Sequence, residues 1–439
     1  MLEYLRLSNV GPAPEMELNL ESRLNLITGD NGLGKSFLLD VAWWAMTRRW
    51  PHEVNRYMTS GFVARPTNIK QTAHIDFRVT GKRKSVEYSS TYVPRDEAWT
   101  GRAGRPPNPG LVIYAHADGS FSVWDPARNY WKKKGNVDVQ ERLPAYVFTP
   151  KEVWDGLTVE VDGQATIVCN GLIRDWASWI KEDGTDARNM AIMLDRLSVS
   201  GDPRDVLEPG TLIRISLTDA RDIPSIRTSY GLTVPILHAS AGVRRVAALA
   251  YMLLWSWREH HLAARQLGES STRQVTMLVD ELESHLHPRW QRSILGSLLR
   301  IVNNVLHKQA RVQLITATHS PLVLASVEPL FDPKRDAWFD IDLRRNGNKA
   351  EVRLERREFV PHGDVSNWLT SEAFDLKIAR SMEAERAIER ARALLRRKRK
   401  PTREQVREVD KELRVAGLPG IDPFWIRWGA YIESLERGR

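Results

Sequence analysis

Gly29-Asp-Asn-Gly-Leu-Gly-Lys-Ser36 constrains this chain more than any other stretch. It fits the pattern of glycine, four residues, then Gly-Lys-Ser/Thr, in which a curled backbone turns its N–H groups toward phosphate. The apolar run Leu24 to Ile27 precedes it, and Phe37 to Trp44 follows with helix-forming residues. Strand, loop and helix in that order set a helix N-terminus and its favourable dipole against an anion. The stretch therefore predicts a nucleotide cradle made of Gly29, Asp30, Asn31, Gly32, Leu33, Gly34, Lys35, Ser36 and Phe37. Lys35 would reach the β- and γ-phosphates and the Ser36 hydroxyl would sit on Mg²⁺. A glycine-rich turn without a ligand is the bland alternative, and the flanking strand and helix speak against it.

A second half of such a site lies far downstream. The hydrophobic strand Val275 to Val279 ends in Asp280-Glu281, the Walker B form. Two carboxylates delivered to a sheet edge cost too much to hold unpaired. Mg²⁺ on Asp280 supplies the compensation, and Glu281 is then placed to polarise an attacking water as general base. His319 ends the next strand, 38 residues after Glu281 (319 − 281). It is expected to hydrogen-bond the γ-phosphate and the water. Ser284-His285-Leu286-His287-Pro288 invites a zinc reading, but further ligands of suitable geometry are not evident, and a dimer-contacting loop is expected.

Composition narrows the setting. A chain of 439 residues has room for two domains, or one large domain with insertions. The net charge of +9 permits a polyanion partner, which ATP and a nucleic acid both satisfy. The single cysteine, Cys169, excludes an internal disulfide framework and reads as a buried apolar thiol. No run approaches the ~18 apolar residues of a membrane span. The start, Met1-Leu-Glu-Tyr-Leu-Arg6, lacks the pattern of a signal peptide, so a cytoplasmic protein without a membrane partner is expected.

Periodicity and turn residues give a coarse map. Residues 2–8 and 16–20 read as a β-hairpin broken by Gly-Pro-Ala-Pro, with a helix over 36–48 after the phosphate loop. Residues 72–80 and 86–93 read as paired strands around the basic turn Gly81-Lys-Arg-Lys84. Prolines and glycines crowd 93–111, which predicts a mobile loop. Short strands are expected at 111–115, 121–124 and 145–149, a helical insertion at 172–200, and a strand from Leu212 to Leu217. A long apolar helix runs from Ser240 to about His261, another spans 288–307, and a strand covers 312–317. Alternating strands and helices imply an α/β fold with a mixed or parallel sheet flanked by helices, beside an antiparallel β lobe. Residues 370–416 read as a charged helical region and 417–439 as a tail carrying tryptophan.

Asp280-Glu-Leu-Glu-Ser-His-Leu-His-Pro-Arg-Trp-Gln291 and Ala317-Thr-His-Ser-Pro321 together resemble the ABC-type ATPases of the SMC/RecF/OLD group. His238-Ala-Ser-Ala-Gly-Val-Arg-Arg245, opening a helix, looks like their signature motif. It departs from the family at Ala241, usually glycine, and at Val243, usually glutamine or glutamate, while Ser240 and Gly242 remain. The resemblance implies a P-loop ABC-type ATPase head over about 1–365. It also implies ATP and Mg²⁺ as cofactors and slow hydrolysis with Lys35, Glu281 and His319 at the catalytic centre. Finally it implies a homodimer, or a higher oligomer, in which Ser240, Ala241 and Gly242 of one copy close over the nucleotide of the other. Thr149-Pro-Lys-Glu-Val-Trp-Asp155 follows a strand and is assigned to the family's Q-loop region, without a placed glutamine. Long SMC-type arms cannot fit between Lys35 and Ser240, where no heptad run is sustained.

Residues 366–439 form a helical region expected to touch a partner or nucleic acid. With Asp422-Pro-Phe-Trp425 near its end, it is similar to compact ATPases of Septu-type and retron-associated anti-phage systems, which work beside a separate HNH nuclease. Arg396-Arg-Lys-Arg-Lys400 reads either as a DNA or RNA contact or as a solvated helix end. The leading expectation is an ATP-driven dimeric switch that controls an effector nuclease in defence. The alternatives are a RecF-like DNA repair ATPase and a nucleotide-dependent scaffold with little turnover.

Overall fold

The computed structural model describes residues 1–81, 84–101, 107–129, 142–161, 163–199, 206–301, 310–346, 349–374, 376–396 and 401–437. The backbone divides into two units, Met1–Gly363 and Asp364–Arg439.

In the first unit, β1 (Leu2–Ser8) and β2 (Glu15–Asn19) form the hairpin, and β3 (Leu24–Gly29) carries the chain into the phosphate loop. β3 is buried over Leu24–Thr28, the pattern of an interior strand covered on both faces. Helix α1 (Lys35–Thr47) leaves the loop, followed by a single turn, α2 (Pro51–Val54). β4 (His74–Thr80), β5 (Ser85–Val93) and β6 (Ala98–Trp99) complete an antiparallel sheet in the order β2-β1-β4-β5-β6. β6 lies in the segment 93–111 expected to be a mobile loop, of which 102–106 lie outside the described residues. Trp99 is buried there, and its indole N–H donates to the Ala64 carbonyl at 2.9 Å. One tryptophan with a hydrogen-bonded edge anchors this part of a chain otherwise broken by proline and glycine.

β7 (Leu111–Ala115), β8 (Phe121–Trp124) and β9 (Tyr146–Phe148) form an up-and-down meander. A capped helix, α3 (Pro150–Asp155), leads to the hairpin β10 (Leu157–Val161) and β11 (Gln164–Cys169), then to α4 (Leu172–Glu182) and α5 (Thr185–Leu197). β12 (Glu208–Pro209), β13 (Ser225–Arg227) and β14 (Thr233–Pro235) make a small sheet before the long helix α6 (Ala241–Gln266). The strand expected over Leu212–Leu217 does not form. Ile213 and Ile223 exchange N–H···O bonds as an isolated bridge, and Leu217 is fully exposed in a turn held by Ser216. Its apolar residues have no sheet face to meet.

β15 (Gln274–Asp280), α7 (Pro288–Ile301), β16 (Arg311–Ala317), α8 (Pro321–Val327), β17 (Asp336–Asn346) and β18 (Lys349–Arg357) finish the unit. The expected helix over 288–307 is described to Ile301, and its remainder lies outside the described residues. The central sheet has the order β18-β17-β3-β16-β15-β7-β8-β9, with β17, β3, β16, β15 and β7 parallel and the margins antiparallel. α1 packs between the two sheets, against β1 on one side and β3, β7, β15 and β16 on the other. Its tryptophans Trp43 and Trp44 fill the shared core with Leu5, Phe77, Leu278 and Ile315.

The second unit holds α9 (Val365–Leu369), α10 (Met382–Leu395), α11 (Arg403–Val415) and α12 (Pro423–Arg437). Ala387, Ile388, Leu394, Leu413, Phe424 and Trp428 are its core. Residues 371–374 and 377–380, read as part of a helical region, are turns and bends before the Ser381 cap of α10. Four of the five residues in the basic run Arg396–Lys400 lie outside the described residues. Among the described residues, no helix is long and apolar enough to cross a membrane.

Gly110 starts β7 at φ +87°, where a Cβ would stand 2.2 Å from the Gln274 carbonyl oxygen. Gly268 also has positive φ but faces open space. Gly110→Ala is therefore expected to destabilise the first unit by about 2–4 kcal/mol and Gly268→Ala by about 1 kcal/mol. Thermal unfolding followed by circular dichroism compares them, and equal losses would contradict the close approach at β7.

Candidate functional site

Parallel register brings the distant motifs together. Asp280 pairs with Ala317 across β15 and β16, and Ala317 pairs with Ile27 across β16 and β3. The ends of three strands are thus level, as at the ligand-binding carboxyl edge of open α/β sheets. Gly29 closes β3 at φ +134°, with the Ile341 carbonyl where a side chain would stand, so only glycine fits. The loop turns through Gly32 and Gly34, and Gly34 caps α1 in the left-handed region. Asp30, Asn31 and Ser36 are exposed at this mouth, Phe37 is half-buried, and Leu33 is buried.

Lys35 is 5% exposed, and its ammonium group donates to the Gly29 and Asp30 carbonyls at 2.7 and 2.8 Å. Burial lowers its pKa, while the negative charges of Asp280, Glu281, Asp30 and Glu283 pull it back up. The lysine therefore faces the Walker B carboxylates. Asp280 is 3% exposed beside the Ser36 hydroxyl, and its Oδ1 is buried with no partner among the described residues. Burial, reinforced by the charges of Glu281 and Glu283, raises its carboxyl to about 6 against the pull of Ser36 and Lys35. An orphaned carboxylate oxygen beside a serine hydroxyl is a donor set that fits Mg²⁺, a hard cation that prefers oxygen. Ser36 and Asp280 are the residues that would hold it.

Glu281 adopts φ +47°, a left-handed conformation for a non-glycine residue, and its N–H donates to the Ala317 carbonyl at 3.1 Å. Its side chain receives the Ser284 hydroxyl at 2.9 Å and lies 3.8 Å from Nε2 of His319. Burial first, then the charge of Lys35, lowers the pKa of His319, and Glu281 opposes the shift. A neutral imidazole between carboxylate and phosphate loop can accept or donate a hydrogen bond as the reaction requires.

Ser240 caps α6, its Oγ accepting the Val243 N–H at 3.4 Å, and Ser240 and Ala241 are exposed. Gly242 packs against the His285 carbonyl, 2.7 Å from where a Cβ would be. One turn on, Arg245 donates to the His116 carbonyl at 2.7 Å and to the Asp280 carbonyl at 3.4 Å. The signature-like helix is thereby fastened to the Walker B strand of its own chain. Thr149–Asp155 lies elsewhere: it forms α3 with a Thr149–Glu152 capping box, after the edge strand β9. The strand beside β15 is β7, and its end carries His116 instead. Sequence reasoning missed Arg245, Asp40 and Glu283. Arg245 and Glu283 stand inside stretches already singled out, while nothing local to Asp40 marks it.

A family profile described as "AAA domain, putative AbiEii toxin, Type IV TA system" matches residues 24–325, from the phosphate-loop strand through His319. The chain belongs to this family. The matched stretch holds the parallel strands β3, β7, β15 and β16 and both nucleotide-site motifs of the mixed α/β first unit, an ATPase domain of the AAA family. Among curated relatives, "Retron Ec83 probable ATPase" of Escherichia coli is 29% identical over 100 residues, 23% of this chain and 15% of that protein. "Retron Vc95 probable ATPase" of Vibrio cholerae serotype O1 biovar El Tor is 30% identical over 115 residues, 26% of this chain and 20% of that protein. The matches thus span a fifth or less of these relatives' lengths. Among solved structures, the SmcHead bound to the C-winged helix domain of ScpA overlaps at TM-score 0.38 and 13% identity, covering 81% of this chain and 97% of that one. The recombination mediator protein RecF with ATPrS overlaps at TM-score 0.36 and 13% identity, covering 78% and 96%. Overlaps that loose carry no argument; the assignment rests on the AAA-family match and the geometry above.

Asp40, on α1 beyond Ser36, accepts the Tyr114 hydroxyl at 3.1 Å. Burial, with the nearby charge of Asp280, raises its carboxyl to about 7 despite bonds from Tyr114 and Gly61. A folded pKa above the unfolded one favours the protonated folded form, so the group erodes stability as pH rises from about 4 to about 7. Asp40→Asn is expected to raise the melting temperature more at pH 8 than at pH 5, by a few degrees in the difference, in nucleotide-free protein. Equal shifts at both pH values in differential scanning calorimetry would contradict the raised pKa.

Proposed function

We propose that this chain is an ATP-binding and hydrolysing dimeric switch that controls or recruits a separate effector nuclease in bacterial anti-phage defence. The observation that carries this reading is the meeting of Lys35, the Ser36–Asp280 pair and the Glu281–His319 pair at one sheet edge.

The N–H groups of Gly29 to Ser36 and Phe37 cradle the phosphates of ATP. Lys35 exchanges its bonds to the Gly29 and Asp30 carbonyls for β- and γ-phosphate oxygens. Ser36 and Asp280 would hold magnesium, which would supply positive charge against the phosphates. Glu281 takes a proton from the attacking water, and His319, within reach of Glu281 and the Gly29 backbone, hydrogen-bonds the γ-phosphate. Ser240, Ala241 and Gly242 of a second copy close the site from the open side, which the exposure of Ser240 and Ala241 supports. Ala241 stands where the family's motif has a glycine, and the altered motif fits slow turnover. An ATP bridging two copies makes their association depend on the γ-phosphate.

The retron relatives support the defence setting, and the net charge of +9 supports contact with DNA or RNA. The head comprises about 1–365, and 366–439 engages the effector or nucleic acid, inside the cytoplasm.

Lys35→Ala is expected to weaken ATP binding by about tenfold or more. Glu281→Gln should bind ATP with little change while kcat falls by about 100-fold or more. Isothermal titration and phosphate release measure the two effects. Parental turnover in Glu281→Gln would remove Glu281 from the role of base.

A further inference from the structure

Glu283 has no role in the nucleotide chemistry described above, yet it is the residue that ties the Walker B loop to the next strand end. Its Oε2 accepts the Thr318 hydroxyl at 2.9 Å, and its Oε1 accepts the backbone N–H of His319. Thr318 is fully buried, and its hydroxyl also receives the Ser320 N–H at 3.1 Å. Gln291 adds a second tie, its Oε1 taking the Ser320 hydroxyl at 2.7 Å. Both oxygens of Glu283 are thus engaged by donors on 318–319. A group engaged in this way makes a poor base and a poor metal ligand.

We propose that Glu283 is a positioning residue: by gripping His319 from behind, at its backbone, it sets the imidazole 3.8 Å from Glu281 and fixes where the attacking water sits. The chemistry of the residue suits that task. Two donors converge on it, and a carboxylate is acceptor-only, so both bonds form without competition and with charge assistance. The bonds also cross from one strand end to its neighbour. Movement of the loop after Glu281 is therefore passed to His319 directly, and general base and γ-phosphate contact move as one piece. Misplacement by about an ångström costs such a site about 100-fold.

The role rests on the ATPase reading above, and the test separates the two. Steady-state hydrolysis by the full chain is measured for the parent, Glu281→Gln, Glu283→Ala, Glu283→Gln, Thr318→Val, His319→Ala and Glu283→Ala with His319→Ala. Affinity is followed with a fluorescent ATP analogue. Glu283→Ala is expected to lower kcat about 10- to 100-fold with the analogue's Kd within about threefold. Glu283→Gln should recover most of the rate, because its oxygen still accepts the His319 N–H and the Thr318 hydroxyl can turn to accept its amide. Thr318→Val, which removes one tie and leaves the carboxylate, should fall between them. In the His319→Ala background, Glu283→Ala should cost less than about threefold more, since a residue that acts through His319 has nothing left to position. Losses that multiply in the double variant, or parental kcat in Glu283→Ala, would overturn the positioning role while leaving the ATPase reading intact. Parental turnover insensitive to Glu281→Gln would overturn both. If Glu283→Ala fails to fold, the same cycle is run with Thr318→Val, and multiplying losses there overturn the proposal equally.

Discussion

Asp280 sits buried at the end of a strand with one carboxylate oxygen that no described residue satisfies. Glu281 and Glu283 crowd more negative charge against it, and one lysine, itself buried, is the main opposing charge. Such an arrangement costs stability in the empty protein. On the proposed reading, a cation and a polyphosphate entering together would offset that cost, because both charges would then find partners. In the proposed function, that unpaired carboxylate is what a bound cation would satisfy.

That edge depends on backbone geometry as much as on charge. Glu281 leaves β15 in a left-handed conformation, a strain held by the Ala317 carbonyl on one side and the Ser284 hydroxyl on the other. Gly242 rests on the His285 carbonyl and Arg245 on the carbonyls of Asp280 and His116. The start of α6 is therefore clamped to the loop that carries Glu281. A contact made at Ser240 has a short, rigid path to Glu281.

Much of this was legible because the signals are local and strict. Gly29-x4-Gly34-Lys35-Ser36 after a buried strand admits few structures, and Val275–Asp280 shows its burial in an unbroken apolar run. The segment around Trp99 misled, because counting prolines and glycines says nothing of the one aromatic side chain that finds a pocket. Leu212–Leu217 misled in the opposite direction: it carries strand-forming residues, but no neighbouring strand offers a face to cover Leu217. β17 and β18 escaped notice because β17 carries the buried charged residues Asp336 and Asp340, and Arg and Glu outnumber the apolar residues of β18. Asp40 and Arg245 acquire meaning only from residues 74 (114 − 40) and 129 (245 − 116) positions away, and no spacing rule reaches that far.

The central claim is that two copies jointly enclose one triphosphate, with Lys35 of one and Ser240 of the other on opposite sides. Light scattering on Glu281→Gln, with and without ATP and magnesium and with Ser240→Arg as a block, addresses it most directly. The account predicts a dimer only when ATP and magnesium are both present, lost on Ser240→Arg while ATP is still bound. A monomer in every nucleotide state, or a dimer indifferent to ATP and to Ser240→Arg, would contradict it.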